Sequence, residues 1–209
     1  MVVRVRQHVN PLSDKYQIPT PPPDWQKIYA SLDRPLHLDI GCARGQFVWE
    51  MAAQYPDWNF LGLEIRQPLV DRANEICQEL GLTNVHFLFC NANNSVEPIL
   101  ASLPTGAFQR VSIQFPDPWF KKRHQKRRVV QPELVAVLAK YLPAEGVVFL
   151  QSDVLAVAQE MVDRFAESPS FQRQGHEWLP ENPLGVATER EKLTLGRRDP
   201  VYRAIFTRS

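Results

Sequence analysis

Leu38-Asp39-Ile40-Gly41-Cys42-Ala43-Arg44-Gly45-Gln46-Phe47 takes a short apolar run through an acid into a glycine-spaced turn. Leu36–Ile40 has the length and composition of a buried strand, and residues 45–54 those of a helix, so the stretch reads as a strand–turn–helix joint. Glycines directly behind a strand let the backbone pass close to a ligand and bend sharply into the helix. The spacing is Gly-x-Ala-x-Gly, not the Gly-x-Gly-x-x-Gly of dinucleotide sites, and Asp39 stands two residues before Gly41. Such a joint suits an adenosyl group with an amino-acid tail better than a pyrophosphate. A glycine turn alone is more often just a turn, so the rest of the chain has to supply the context.

Downstream, apolar runs alternate with longer mixed segments. Phe60–Glu64, Val85–Cys90, Val111–Phe115 and Val147–Gln151 read as further strands, and Tyr202–Thr207 as a last strand that can run antiparallel. Residues 66–80, 93–102, 131–141 and 154–167 have helical composition. Strands and helices in this alternation predict an α/β domain, a parallel sheet covered on both faces. Upstream, residues 1–24 form an N-terminal arm, its flexibility left open, ending in Ile18-Pro-Thr-Pro-Pro-Pro-Asp24; a short helix from Trp25 to Leu32 opens the domain, residues 25–209. The segment 168–200, rich in proline, glycine and charge, yields no element by period.

Whole-chain properties narrow the class. At 209 residues and 44% hydrophobic, the chain has material for one sizeable core. Cys42, Cys77 and Cys90 are odd in number and form no Cys-x-x-Cys pair, which argues against a disulfide framework or a structural zinc site and fits a cytoplasmic protein with no metal. The first residues alternate, Val3-Arg4-Val5-Arg6, without the apolar core of a signal peptide, and no run approaches the roughly 18 residues of a membrane span. No membrane association and no obligate protein partner are expected.

Two further strand ends bear on the ligand. Leu61-Gly62-Leu63-Glu64 closes the second strand with a carboxylate able to accept from both hydroxyls of a ribose. Cys90-Asn91 closes the third, where a side chain can reach an adenine amino group, and Phe115-Pro116-Asp117 closes the fourth. This arrangement resembles class I S-adenosylmethionine-dependent methyltransferases. The resemblance implies a Rossmann-like, mostly parallel seven-stranded sheet with helices on both faces and S-adenosyl-L-methionine as methyl donor.

Behind the fourth strand lies Phe115-Pro-Asp-Pro-Trp-Phe-Lys-Lys-Arg-His-Gln-Lys-Arg-Arg128. Pro116 and Pro118 restrict the backbone on both sides of Asp117 and so limit where its carboxylate points. A fixed carboxylate fits the N1–H and N2–H₂ edge of guanine, whereas an amide there would suit an exocyclic amine of another base. Residues 121–128 carry +6 while the whole chain carries +1, so one local patch faces a polyanion. This phrase, with the glycine turn, Thr188-Glu-Arg-Glu191 and His8-Val-Asn-Pro-Leu12, closely resembles the bacterial tRNA (guanine-N7)-methyltransferases, the TrmB family.

Carried over by position, the resemblance places Asp39, Gly41, Gly45, Glu64, Asn91 and Asp117 around the methyl donor and makes Asp117 the catalytic residue. It sets Lys121, Asp153, Thr188 and Glu191 against guanosine or tRNA, and the basic run implies phosphate contacts from Lys122, Arg123, Lys126, Arg127 and Arg128. His124 is expected on the same RNA-facing surface. Ala43 stands where relatives often carry glycine, and Asn91 where many carry Asp. Local alternatives stay open: Asp153 has the position of a helix cap, and Thr188 with Glu191 the spacing of a capping box. The implied activity is methylation of N7 of guanosine 46 in the tRNA variable loop, against the rivals of a non-catalytic RNA-binding protein, a methyltransferase for other substrates, and an NAD-dependent reductase.

Overall fold

The computed structural model describes residues 9–209; Val3 to Arg6 and His8, which figure in the arm, lie outside the described residues. Strand β1 (Leu36–Ile40) is buried at every position. It pairs parallel with β2 (Asn59–Glu64) and β4 (Phe108–Gln114) on its two sides. β3 (Val85–Phe89) extends the sheet beyond β2, and β5 (Val147–Ser152) extends it beyond β4, both parallel. β7 (Tyr202–Arg208) then runs antiparallel between β5 and β6 (Phe171–Arg173). The order is β3-β2-β1-β4-β5-β7-β6, the expected seven strands in a mostly parallel sheet.

Side-chain alternation divides the core into two layers. Leu38, Ile40, Val111, Ile113, Val148 and Leu150 point to one face. They are covered there by α4 (Ala92–Ala101), α5 (Pro132–Tyr141) and α6 (Leu155–Ala166) through Val96, Ile99, Leu134, Leu138, Met161 and Phe165. Phe60, Phe87 and Phe149 point to the other face, against Phe47 and Met51 of α2 (Gln46–Gln54) and Val70 and Ala73 of α3 (Gln67–Glu79). Burial of each such side chain contributes about 1.5–3 kcal/mol. Phe87 also explains one glycine: a Cβ on Gly45 would stand 2.6 Å from its ring.

Four elements differ from the sequence reading. Helix α1 (Trp25–Ile28) ends a turn early because Tyr29 goes extended, buries its ring and donates its hydroxyl to the Phe60 carbonyl at 3.0 Å. β4 begins at Phe108, three residues sooner, where its edge pairs with Leu36. The unread segment 168–200 holds β6 and α7 (Glu189–Gly196).

Because β4 lies beside β1 while β2 and β3 lie on its far side, the strand order reverses between them. Ligands of open α/β sheets bind at such a reversal, outside the carboxyl ends of the strands. Asp39, Glu64, Asn91, Asp117 and Asp153 all stand at those ends.

Candidate functional site

A cavity of about 620 Å³ opens there, lined by Asp39, Gly41, Glu64, Asn91, Asp117 and Thr188 among others. That size lies within the usual range for small-molecule sites. The β1–α2 turn forms its floor. Gly41, Ala43 and Gly45 take φ of 83°, 53° and 81°, a left-handed conformation at every second residue. Ala43 adopts it at a cost of about 1–2 kcal/mol, which gives the physical reason that glycine suits this position. The Gly41 and Cys42 amides both donate to the Leu63 carbonyl, at 2.8 and 3.0 Å, and tie the turn to β2. A Cβ on Gly41 would meet nothing within 4 Å, so at Gly41 a ligand can approach the backbone itself.

Asp39 is buried and accepts from the Ser112 hydroxyl at 2.5 Å and the Gln114 amide at 3.0 Å. Burial pushes its carboxyl up to about 6, with the Glu64 charge adding and the two hydrogen bonds opposing. Among the described residues it has no ion-pair partner.

Glu64 is also buried, but fully engaged. One oxygen accepts from the backbone amide of Arg66 at 3.0 Å and its Nε at 2.9 Å; the other accepts from the Ala43 amide and Arg66 Nη2, both at 2.9 Å. A carboxylate has about four acceptor positions, and these are four bonds. Glu64, and more weakly Asp117, raise the Arg66 guanidinium. Arg66 was not singled out in the sequence; its spacing two residues after the acid was the available signal.

Asn91 caps α4, its carbonyl oxygen accepting from the Asn93 amide at 3.2 Å. Its amide nitrogen donates to the carbonyls of Pro11 and Tyr16, at 3.1 and 3.2 Å. The arm therefore lies against this wall, and Val9 and Pro11 line the cavity. Thr20 holds it further along, its hydroxyl donating to the Phe89 carbonyl at 2.9 Å.

Asp117 sits in a constrained loop. Beyond its two prolines, Phe115 and Trp119 take φ of 48° and 42°. For aromatic side chains such backbone is strained, and it persists only where surrounding structure holds it. The Phe115 amide is held by the Gln151 carbonyl at 2.8 Å. Trp119 is covered by the Arg127 guanidinium, 5.0 Å from its ring centroid, and meets the His124 ring edge-on. Nearby charge and partial burial lower the His124 pKa: desolvation first, then Arg127, Arg123 and Lys121. Phe120, also unread in the sequence, lines the cavity mouth while 72% exposed.

The basic run forms a 3₁₀ turn, Lys122–Arg127, with Lys121, Lys122, Arg123 and Lys126 exposed. Arg128 is a correction. It is buried, donates to the Pro118 carbonyl at 2.8 Å and pairs with Glu160 of α6, so it braces the Asp117 loop from behind instead of meeting phosphate. Six like charges within eight positions do not reveal which one turns inward.

On the far wall, Thr188 does cap α7, accepting from the Glu191 amide at 3.0 Å. Thr188, Glu189 and Arg190 line the cavity. Asp153 does not cap α6; it pairs with Arg190 at 2.5 Å and anchors the start of α7. Glu191 is the second correction. At 1% exposure its carboxylate faces inward to Arg203, 2.7 Å away, so the substrate contact expected of it is replaced by an internal one.

A sheet of this order, with a glycine turn and two strand-end acids around one cavity, defines a class I S-adenosylmethionine-dependent methyltransferase fold. Solved structures bear this out. A 16S rRNA methyltransferase, KamB, aligns over 88% of this chain and 90% of its own with a TM-score of 0.61 and 15% identity. TrmN from Thermus thermophilus aligns over 84% of this chain and 45% of its own, TM-score 0.57, 16% identity. Residues 33–204 match the family described as "Putative methyltransferase". The tRNA (guanine-N(7)-)-methyltransferase of Trichormus variabilis is 65% identical over 207 residues, 99% of this chain and 96% of that relative. That of Synechococcus elongatus is 66% identical over 206 residues, covering 99% and 97%. The chain belongs to the tRNA (guanine-N7)-methyltransferase family.

Proposed function

We propose that the protein transfers a methyl group from S-adenosyl-L-methionine to N7 of guanosine 46 in the tRNA variable loop, giving 7-methylguanosine. The observation that carries this is the placing of Asp117. It lines one cavity with Asp39 and Glu64, between two prolines, and the next residues form an exposed basic turn. Relatives covering nearly the whole chain bear the name tRNA (guanine-N(7)-)-methyltransferase. The three cysteines are free and buried, which suits a reducing cytoplasm as the place of action.

The residues fit the donor. Asp39, an acid with no counter-cation among the described residues, takes the ammonium of its amino-acid tail; Glu64 takes the ribose hydroxyls in exchange for Arg66; the bare backbone at Gly41 admits close approach. S-adenosyl-L-methionine supplies an activated methyl group on a sulfonium. Asp117 accepts from guanine N1–H and N2–H₂ and so turns N7 toward that methyl. N7 offers a lone pair and carries no proton, so no side chain has to act as a base. Holding the two reactants in line can supply roughly 7–11 kcal/mol of the barrier. Positive charge ends on the purine, where the Asp117 carboxylate stays matched to it. Lys121, Lys122, Arg123, Lys126 and Arg127 meet phosphates and set register without reading sequence. Phe120 offers an exposed face for an unstacked base.

Incubation with bulk tRNA lacking this modification and labelled donor, followed by nucleoside analysis and strand cleavage at 7-methylguanosine, tests the reading. Label in 7-methylguanosine at position 46 is expected. Label in another nucleoside, or none in tRNA, refutes it.

A further inference from the structure

One row of buried polar side chains crosses three strands of the sheet. On β4, β5 and β7 the register sets Gln114 opposite Gln151 and Gln151 opposite Arg203, so the three side chains share a face. All three are buried, as is Glu191, which covers them from α7. Asp39 lies at the β1 end of the same face, opposite Ser112.

The hydrogen bonds along this row have one direction. Arg203 can only donate, and it gives Nε to the Gln151 carbonyl at 3.2 Å and Nη2 to Glu191 at 2.7 Å. That leaves the Gln151 amide nitrogen to donate, which it does to the Gln114 carbonyl at 2.7 Å and to Glu191 at 3.2 Å. Gln114, its carbonyl taken, must present its own amide nitrogen to Asp39, at 3.0 Å. Glu191 is held in place by Asn182 at 2.8 Å as well. A side-chain amide has two faces of opposite polarity and nearly equal shape. Here the ion pair at the far end decides which one faces the acid.

We infer that Gln114 and Gln151 are positioning residues for methyl-donor binding: through them the Glu191–Arg203 ion pair fixes the polarity of the amide that holds Asp39. The inference rests on Asp39 being a donor ligand. It also gives Glu191 work at a site it does not touch. A purely structural row would be served at least as well by apolar side chains, since burying amides and an ion pair rarely gains stability over close hydrophobic packing.

The test is calorimetric titration of S-adenosyl-L-homocysteine and, separately, of tRNA into five variants. Gln114→Met removes a hydrogen bond to a charged acceptor and should weaken the nucleoside about 10- to 150-fold. Gln151→Met frees the Gln114 amide without turning it and should cost less. Gln151→Glu offers Gln114 an acceptor, turns its carbonyl toward Asp39, and should cost more than Gln151→Met. In Gln114→Met/Gln151→Glu the messenger is gone, so affinity should match that of Gln114→Met alone. Affinity for tRNA should stay within about twofold of wild type throughout. Equal losses from Gln151→Glu and Gln151→Met, or losses that add fully in the double variant, overturn the inference. Should Gln151→Glu not fold, Gln114→Met, Gln151→Met and their double variant give the same cycle, where full additivity again overturns it. Asp39→Asn separates the two readings: unchanged nucleoside affinity there removes the donor role of Asp39 itself, whatever the relay does.

Discussion

Titrating S-adenosyl-L-homocysteine into the protein between pH 5 and 7.5 should resolve the ionisation of Asp39. Its carboxyl is pushed from the ordinary 3.8 up to about 6. The gap is about 2 units, or roughly 3 kcal/mol, which is the cost of holding the charge in the empty site. A ligand ammonium offsets that cost, so the bound site ionises at lower pH than the empty one. Binding must then strengthen as pH rises toward 6 and level off above about 6.5, a gain of about tenfold between pH 5 and 7. His37 and Cys42 are silent in this window. The His37 pKa, behind Ser112, is lowered to about 3 by burial and then by Arg110, and burial raises the Cys42 thiol far above its usual range. Arg66, paired with Glu64, is a cation throughout. The ligand's amine titrates only near 8. Asp39→Asn should lose about 10- to 150-fold at pH 7, where a charged partner is removed, and much less at pH 5. Its profile should be flat. A wild-type profile that is itself flat from pH 5 to 7, or a slope that survives in Asp39→Asn, would refute the argument.

The same raised carboxyl has a thermal consequence. The folded empty protein binds the extra proton between about pH 4 and 6, so its stability falls as pH rises through that range; at pH 7.5 Asp39→Asn should melt several degrees higher than wild type by calorimetry, at about 2–4 °C per kcal/mol. Neutralising Lys122, Lys126 and Arg127 should reduce the log–log salt slope of tRNA binding by up to about 0.7–0.9 per lost contact. Arg128→Ala should instead lower stability by about 1–3 kcal/mol in chemical denaturation and leave the salt slope alone. Asp117→Asn, which presents guanine with a donor where an acceptor is needed, should cost about 1.5–3 kcal/mol in single-turnover rate, and wild-type single-turnover rate should be level from about pH 6 to 8.5. Phe120→Ala should weaken tRNA binding by about 1–3 kcal/mol if a base stacks on it, with donor affinity unchanged; equal affinity for tRNA would remove that role.

Much of the sheet could be read because its strands are short apolar runs bounded by turn residues, and because Asp39, Glu64, Asn91 and Asp117 each fall where such a run stops. The helix ending at Ile28, not Leu32, depends on Tyr29 finding a place against β2, a tertiary fact. β6 is three residues long and α7 is polar along most of its length, so neither has a period to detect. Arg128 and Glu191 were expected outward because charged residues usually are; each is turned inward by a partner more than ten residues away in the chain, Glu160 and Arg203. Gln114, Gln151 and Arg203 did leave a trace, a polar residue set in each of three apolar strands, but only the register shows that they line up.

The fork between Arg66 and Glu64 bears on how quickly the site can turn over. The methylated and demethylated nucleosides share one ribose, so the acid cannot tell spent cosubstrate from fresh. If Glu64 holds the ribose as proposed, whatever leaves must surrender its hydroxyl bonds to that acid, and an uncompensated carboxylate at 4% exposure would hold it back. With Arg66 only two residues along the chain, the vacated oxygens are reclaimed at once by a tethered cation at high local concentration. Departure then becomes a swap of partners instead of a bare rupture, and the enzyme gives up some grip in order to let go.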